Sequence, residues 1–255
     1  MKRKPARKPP ARSVKRTAAA KPVKATMRPA KKPRRVPERR GASHSQGDDS
    51  KRISQMIELL AREFPDARCM LDHTSPFELL IATILAAQCT DAMVNQVTRT
   101  LFKKYPTPEA FVAAPQEELE KDIYKTGFFR NKAKSVKSCC ASLIERHAGN
   151  TPRTMEELVA LGGVGRKTAN CVLGVSFGIP SIVVDTHVRR LAGRMGYTVE
   201  SDPDKIEQDL MKIAPHAEWT HMSHLFASLG RSYCTARKPK CDECPVAHLC
   251  PKIID

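Results

Sequence analysis

Residues 161–170 read LGGVGRKTAN. Three glycines, Gly162, Gly163 and Gly165, fall within four positions, and two cations, Arg166 and Lys167, follow at once. Glycine gives the backbone freedom for a tight turn, and a helix that opens just after it exposes its first amides, unpaired and at the positive end of the helix dipole. A phosphate can meet those amides only where no side chain intervenes. The stretch therefore predicts a hairpin between a helix ending near Leu161 and a second over 165–177. Such a helix-hairpin-helix grips the nucleic-acid backbone without reading its bases. Gly163 and Gly165 are the phosphate-facing positions, with Arg166 beside them.

Working outward, the pattern is helical almost throughout. Ile53, Met56, Ile57, Leu60 and Phe64 keep the i, i+3, i+4 rhythm of an amphipathic helix. Ser75, Pro76 and Glu78 make a capping box with proline at the first helical position, opening the segment FELLIATILAAQ, which is apolar on all sides and so belongs in the middle of a bundle. Further helices are predicted over 92–105, 116–125, 131–147, 155–161, 186–195, 204–213 and 219–229. Thr154 and Glu157 form a second capping box, and Gly178, Gly196 and Gly230 fall at C-terminal caps. Only the IVV at 182–184 reads as extended. With no period-2 runs to build a sheet, the fold class is all-α.

Charge is distributed unevenly over the 255 residues. Residues 1–40 hold 17 Lys or Arg against one acid, Glu38, and so carry +16 of the formal +17. Seven prolines and few branched or aromatic residues leave this segment unable to bury enough surface to order itself, so residues 1–50 are expected to be a disordered basic tail. A polyanion, nucleic acid ahead of an anionic membrane, is its natural partner. The longest apolar run, LLIATILAA at 79–87, is about half the ~20 residues of a membrane span. No signal-peptide core follows the first charges, and nine cysteines, an odd number, suit a reducing compartment. The expectation is a soluble intracellular protein.

Four of those cysteines, Cys234, Cys241, Cys244 and Cys250, lie at spacing C-x6-C-x2-C-x5-C. Four thiolates so close in sequence indicate one metal centre, either a zinc tetrathiolate or a [4Fe-4S] cluster. Zinc sites usually pair two short knuckles, and only Cys241 to Cys244 has that spacing. Between the first two ligands, TARKPK sets Arg237, Lys238 and Lys240 on a loop tied at both ends, suited to phosphate oxygens.

Taken singly, Lys167 reads as a solvated charge in the first turn of a helix, and Asp185, in VVDTHVRRLAG, as the N-cap of the helix that follows. Taken together, the hairpin, Lys167, Asp185 in VDTH and the cysteine spacing near the C-terminus resemble the endonuclease III family of DNA glycosylase/lyases. The resemblance extends from about Ile53 to Cys250. It implies a six-helix barrel domain over 69–179 and a discontinuous iron-sulfur domain over 51–68 with 180–255, the four cysteines holding a [4Fe-4S] cluster. Double-stranded DNA carrying damaged bases or abasic sites is the implied partner, bound by a monomer in the bacterial cytoplasm or nucleoid.

By the same resemblance Lys167 is the nucleophile and Asp185 the essential carboxylate. A neutral amine at C1′ of an everted nucleoside displaces the base and forms an imine, which permits β-elimination of the 3′ phosphate. Positive charge from Arg166 and the helix end favours the neutral amine, and the Asp185 carboxylate stabilises developing oxocarbenium charge. Gln88 in ILAAQCTD and Phe128 in KTGFFRNKA match the residues that fill the gap left by the everted base, though the family's wedge is aliphatic. Two further departures are Gly162, where proline is common in the family, implying a looser turn, and Val159, where bacterial relatives often carry Glu. Oxidised or ring-saturated pyrimidines are the expected lesions. Two other readings are open: a monofunctional adenine glycosylase, which normally lacks the lysine and has a further C-terminal domain, and a non-catalytic architectural DNA-binding protein.

Overall fold

The computed structural model describes residues 46–254. Among them the chain forms eleven α-helices: α1 (Gln46–Glu63), α2 (Pro76–Leu85), α3 (Asp91–Lys104), α4 (Pro108–Ala113), α5 (Gln116–Asp122), α6 (Phe129–His147), α7 (Met155–Val159), α8 (Arg166–Phe177), α9 (Thr186–Arg194), α10 (Pro203–Ile213) and α11 (Trp219–Ser232). No strand occurs among the described residues, so the fold is all-α. None of these helices is long and apolar enough to cross a membrane.

The helix starts follow the predicted chemistry. Ser75 Oγ accepts from the Glu78 amide at 3.2 Å, and Thr154 Oγ1 accepts from the Glu157 amide at 3.3 Å. The α4 helix escaped the sequence reading; it is one and a half turns capped by Thr107, too short for a period to register.

Two expectations need correction. Most of the expected basic tail lies outside the described residues, but residues 46–50 are not tail: they open α1. Asp48 and Asp49 sit in its first turn, where the helix dipole favours acid, and Asp49 pairs with Arg52 at 2.6 Å. Gly230 is not a cap either. It lies inside α11, where a Cβ would stand 2.6 Å from His187 Nδ1, so its role is to let α11 approach α9 closely.

The apolar residues gather into two cores. One is built on α2 to α8, with Leu79, Leu80, Ile81, Phe111, Leu143 and Val172 fully buried. The uniformly apolar α2 runs through it and packs on α8. The other joins α1 to α9, α10 and α11 around Ile53, Met56, Leu60, Leu191, Leu210 and Phe226, so it draws on both ends of the described chain.

The chain passes between the cores at residues 178–185. Its 182–184 stretch has no sheet partner, and side chains satisfy the backbone instead. Asn170 Nδ2 donates to Ile182 O at 3.0 Å, Ser181 Oγ donates to Asn170 O at 2.6 Å, and the Val183 amide donates to Ser223 Oγ at 3.0 Å. These bonds fix the approach to Asp185 against α8, which carries Lys167, and α11.

Candidate functional site

The hairpin consists of α7, a turn over residues 160–165, and α8. Leu161 and Val164 are buried and anchor the turn, with the Val164 amide donating to Leu161 O at 3.2 Å. Gly163 has φ +77°, a left-handed conformation that a side chain would strain, and a Cβ there would lie 2.5 Å from Ser135 Cβ. Gly162 corrects the expectation of a loose turn: a Cβ at this position would clash with the Ser138 side chain, so the turn is seated tightly on α6. Gly165 differs from both. It is the N-cap of α8 in extended conformation, supplies no side-chain cap, and has no atom within 4 Å of where a Cβ would stand. The first turn of α8 thus opens outward with its amides bare, the arrangement that an anion fits.

Behind this turn lies a cleft of about 630 Å³ whose walls include Lys167, Asp185 and Gln88. The structure brings these three predicted residues together although they come from three separate segments. Lys167 is exposed on the first turn of α8. Asp185 caps α9, its Oδ1 accepting from the amides of His187 and Val188, both at 2.8 Å. Both bonds fall on one oxygen. Among the described residues that leaves Oδ2 without a protein partner, so capping and chemistry are compatible in one carboxylate.

Arg166 behaves differently from expectation. Its Nε and Nη2 donate to Glu207 Oε2 and Oε1, each at 2.8 Å, and Glu207 is buried on α10. This forked pair ties α8 in the first core to α10 in the second. The correction is that the charge of Arg166 is compensated by Glu207. Val159 is exposed on α7 and is not part of the cleft wall.

Gln88 and Phe128 both sit in left-handed backbone, at φ +54° and +46°. Non-glycine residues hold that conformation only where the surroundings impose it, and such strain concentrates at functional loops. Phe128 is 62% exposed rather than folded into the core.

Sequence reasoning missed several cleft residues. Cys69, Cys171, His187, His224 and Arg231 all line it. A hydrogen bond from the Cys171 thiol lowers Cys69 to about 7, and burial pushes His187 and His224 below the usual histidine range. Arg231 reaches Asp91 at 3.1 Å, joining α11 to the start of α3. Only His187, two residues after Asp185 in VDTH, had a local signal.

The four cysteines of the C-terminal spacing border one small cavity together with Val246 and Leu229. Two arginines of α9 build its frame. Arg190 Nε donates to Cys234 O at 3.0 Å, and Arg194 Nη1 donates to Cys234 Sγ at 3.3 Å and to Thr235 O at 2.7 Å. The Lys252 amide donates to Cys250 Sγ at 3.4 Å. N–H donors aimed at sulfur stabilise thiolates that carry a cluster's negative charge, so the donor set fits an iron-sulfur group. Arg194 Nη2 also donates to Ala236 O at 2.8 Å, so the loop bearing Arg237, Lys238 and Lys240 is pinned from beneath while those three side chains are exposed.

Comparison with known proteins agrees with this geometry. Residues 81–216 match the HhH-GPD superfamily of base excision DNA repair proteins, and residues 234–250 match the iron-sulfur binding domain of endonuclease III. The chain is 48% identical over 201 residues to endonuclease III of Synechocystis sp., covering 78% of this chain and 92% of that one. Endonuclease III of Bacillus subtilis is 46% identical over 201 residues, with the same coverage of 78% and 92%. A solved structure of a trapped endonuclease III–DNA covalent intermediate, an estranged-adenine complex, superposes with a TM-score of 0.76 at 48% identity, covering 80% of this chain and 96% of that chain.

Proposed function

The chain belongs to the endonuclease III family of base excision DNA repair proteins, a DNA glycosylase and abasic-site lyase that acts on double-stranded DNA, and from that premise we propose which residues perform its two steps. Lys167 is the nucleophile. Its neutral amine attacks C1′ of an everted nucleoside, the bond from C1′ to the base breaks, and the base leaves with a proton. Opening of the sugar ring gives an imine. Loss of a C2′ proton then expels the 3′ phosphate, and water hydrolyses the imine to free the lysine. Asp185 stabilises the positive charge that builds on the sugar while the base departs. The observation that supports this best is the shared cleft of Lys167, Asp185 and Gln88, directly behind the uncapped start of α8.

In this reading the two apolar cores are two domains. The first is the barrel, over about 69–179, and the second is the iron-sulfur domain, formed by the N-terminal helix and the C-terminal segment. Gly163 and Gly165 meet a phosphate, Arg237, Lys238 and Lys240 meet the backbone farther along, and Gln88 and Phe128 fill the space of the everted base. Arg166 acts through Glu207, holding the hairpin against the second core, more than through DNA. Cys234, Cys241, Cys244 and Cys250 hold the [4Fe-4S] cluster, whose contribution here is to order the basic loop. The lesions are oxidised or ring-saturated pyrimidines, and the protein works as a monomer on chromosomal DNA inside a bacterial cell.

A duplex with a single dihydrothymine tests the reading. The protein should release the base, nick 3′ to the site and become covalently attached to the strand under borohydride. Base release without nicking or trapping would indicate a monofunctional glycosylase, and binding without either would indicate an architectural protein.

A further inference from the structure

Lys132 is buried, with its side chain inside the first core, and its ammonium meets backbone carbonyls rather than a carboxylate among the described residues. Burial pulls its ammonium below the ordinary lysine range. A lysine in such a place is an expensive way to fill core volume unless its donors do something specific. They do. Nζ donates to Leu85 O at 2.8 Å and to Thr126 O at 2.7 Å.

Both acceptors are helix-end carbonyls that have run out of helical amides. Leu85 is the last residue of α2, and Thr126 ends the short 3-10 turn of residues 124–126. Three residues beyond Leu85 is Gln88, and two beyond Thr126 is Phe128, both in left-handed backbone. Lys132 also donates its backbone amide to Phe128 O at 3.1 Å, since it lies one turn into the helix that Phe128 opens. One residue therefore touches both loops, although they are 40 positions apart in sequence, and it does so where each loop leaves its helix.

We propose that Lys132 is a positioning residue that clamps the Gln88 and Phe128 loops to one another, so that both enter the gap of an everted base together. The inference rests on the gap-filling role assigned above to those two residues. A cation suits the task because a single ammonium satisfies two converging carbonyls, the negative ends of two helical segments, which an apolar side chain cannot do. Losing it leaves both carbonyls unsatisfied and releases the strain at Gln88 and Phe128 into alternative loop conformations.

The test uses Lys132→Met, with Lys132→Arg as the conservative variant, in the full chain and again in a Gln88→Ala/Phe128→Ala background. The readouts are single-turnover excision of dihydrothymine at saturating enzyme and the fluorescence change of 2-aminopurine opposite the lesion, which reports unstacking of the orphaned base. Lys132→Met should slow excision about tenfold and shrink the fluorescence change, the scale of a lost charged hydrogen bond. Lys132→Arg should restore most of both. In the doubly substituted background Lys132→Met should add less than about twofold, because its targets are already gone. Equal losses in both backgrounds would reduce Lys132 to general core stability and overturn the proposal. A Gln88→Ala/Phe128→Ala protein with undiminished fluorescence change and rate would refute the gap-filling reading itself, and the clamp with it. Should Lys132→Met yield no folded protein, Lys132→Gln, neutral but still a donor, is measured in the same two backgrounds and judged by the same ratio.

Discussion

The two helices that begin at Arg166 and Thr186 face the same cleft and are finished in opposite ways. Gly165 leaves α8 with no side-chain cap and open space around it, whereas Asp185 closes α9 with two 2.8 Å bonds to a single carboxylate oxygen. A helix end needs its amides satisfied. At α9 the protein supplies the acceptor; at α8, in the reading proposed above, a DNA phosphate would. The difference separates binding from chemistry. In the proposed function the bare end would attract phosphate and carry the amine of Lys167, while the capped end would keep the Asp185 carboxylate oriented beside the reacting sugar.

Asp185→Asn should sharpen this contrast most. Asparagine caps as well as aspartate does, so thermal stability should change little, while single-turnover excision falls about 100-fold, in the range of other losses of electrostatic stabilisation. A normal rate in this variant would leave Asp185 with capping alone. The glycines of the hairpin divide next. Gly163→Ala puts a side chain at φ +77° and against Ser135, and should lower stability by about 2 kcal/mol in a denaturant titration. Gly165→Ala meets no atom in the free protein, so its stability should be unaltered, yet duplex affinity should weaken about tenfold because the new methyl stands where phosphate approaches. Matching effects of the two alanines would mean that α8 is not an open end.

On stability alone, Asp185→Ala should cost about 1 kcal/mol, the ordinary value of a lost cap. The smallest effect on excision concerns neither helix. Removing residues 1–45, which hold most of the excess positive charge, should flatten the salt dependence of binding by about 0.9 in slope for each phosphate that is no longer neutralised, while single-turnover excision at saturating enzyme stays the same. A fall in that rate would assign the segment to the site.

What the sequence revealed follows from how local each signal is. The glycine turn, the Ser75 and Thr154 caps and the cysteine spacing are written within a few residues, and each is found where its chemistry requires. What it concealed depends on packing between distant segments. Gly230 reads as a cap until His187 is seen against it, and Gly162 reads as a loose turn until Ser138 is. The forked pair of Arg166 is hidden because nothing near it in sequence announces Glu207, 41 residues on. Lys132 has the same character, since its partners are the carbonyls of Leu85 and Thr126 and a carbonyl has no letter. The start of α1 is misread for a compositional reason: Gly47, Asp48 and Asp49 resemble linker until Arg52 is found bonded to Asp49, Met195 O and Leu249 O, holding the helix to the second core.

The most direct test is to locate the covalent bond. Protein trapped on a dihydrothymine duplex with borohydride, digested with protease and nuclease, should yield a single peptide carrying the reduced sugar remnant, with tandem mass spectrometry assigning it to Lys167, and Lys167→Ala should yield no adduct while still binding duplex through the open end of α8. An adduct on any other lysine or on the N-terminal amine, or undiminished trapping in Lys167→Ala, would contradict the account.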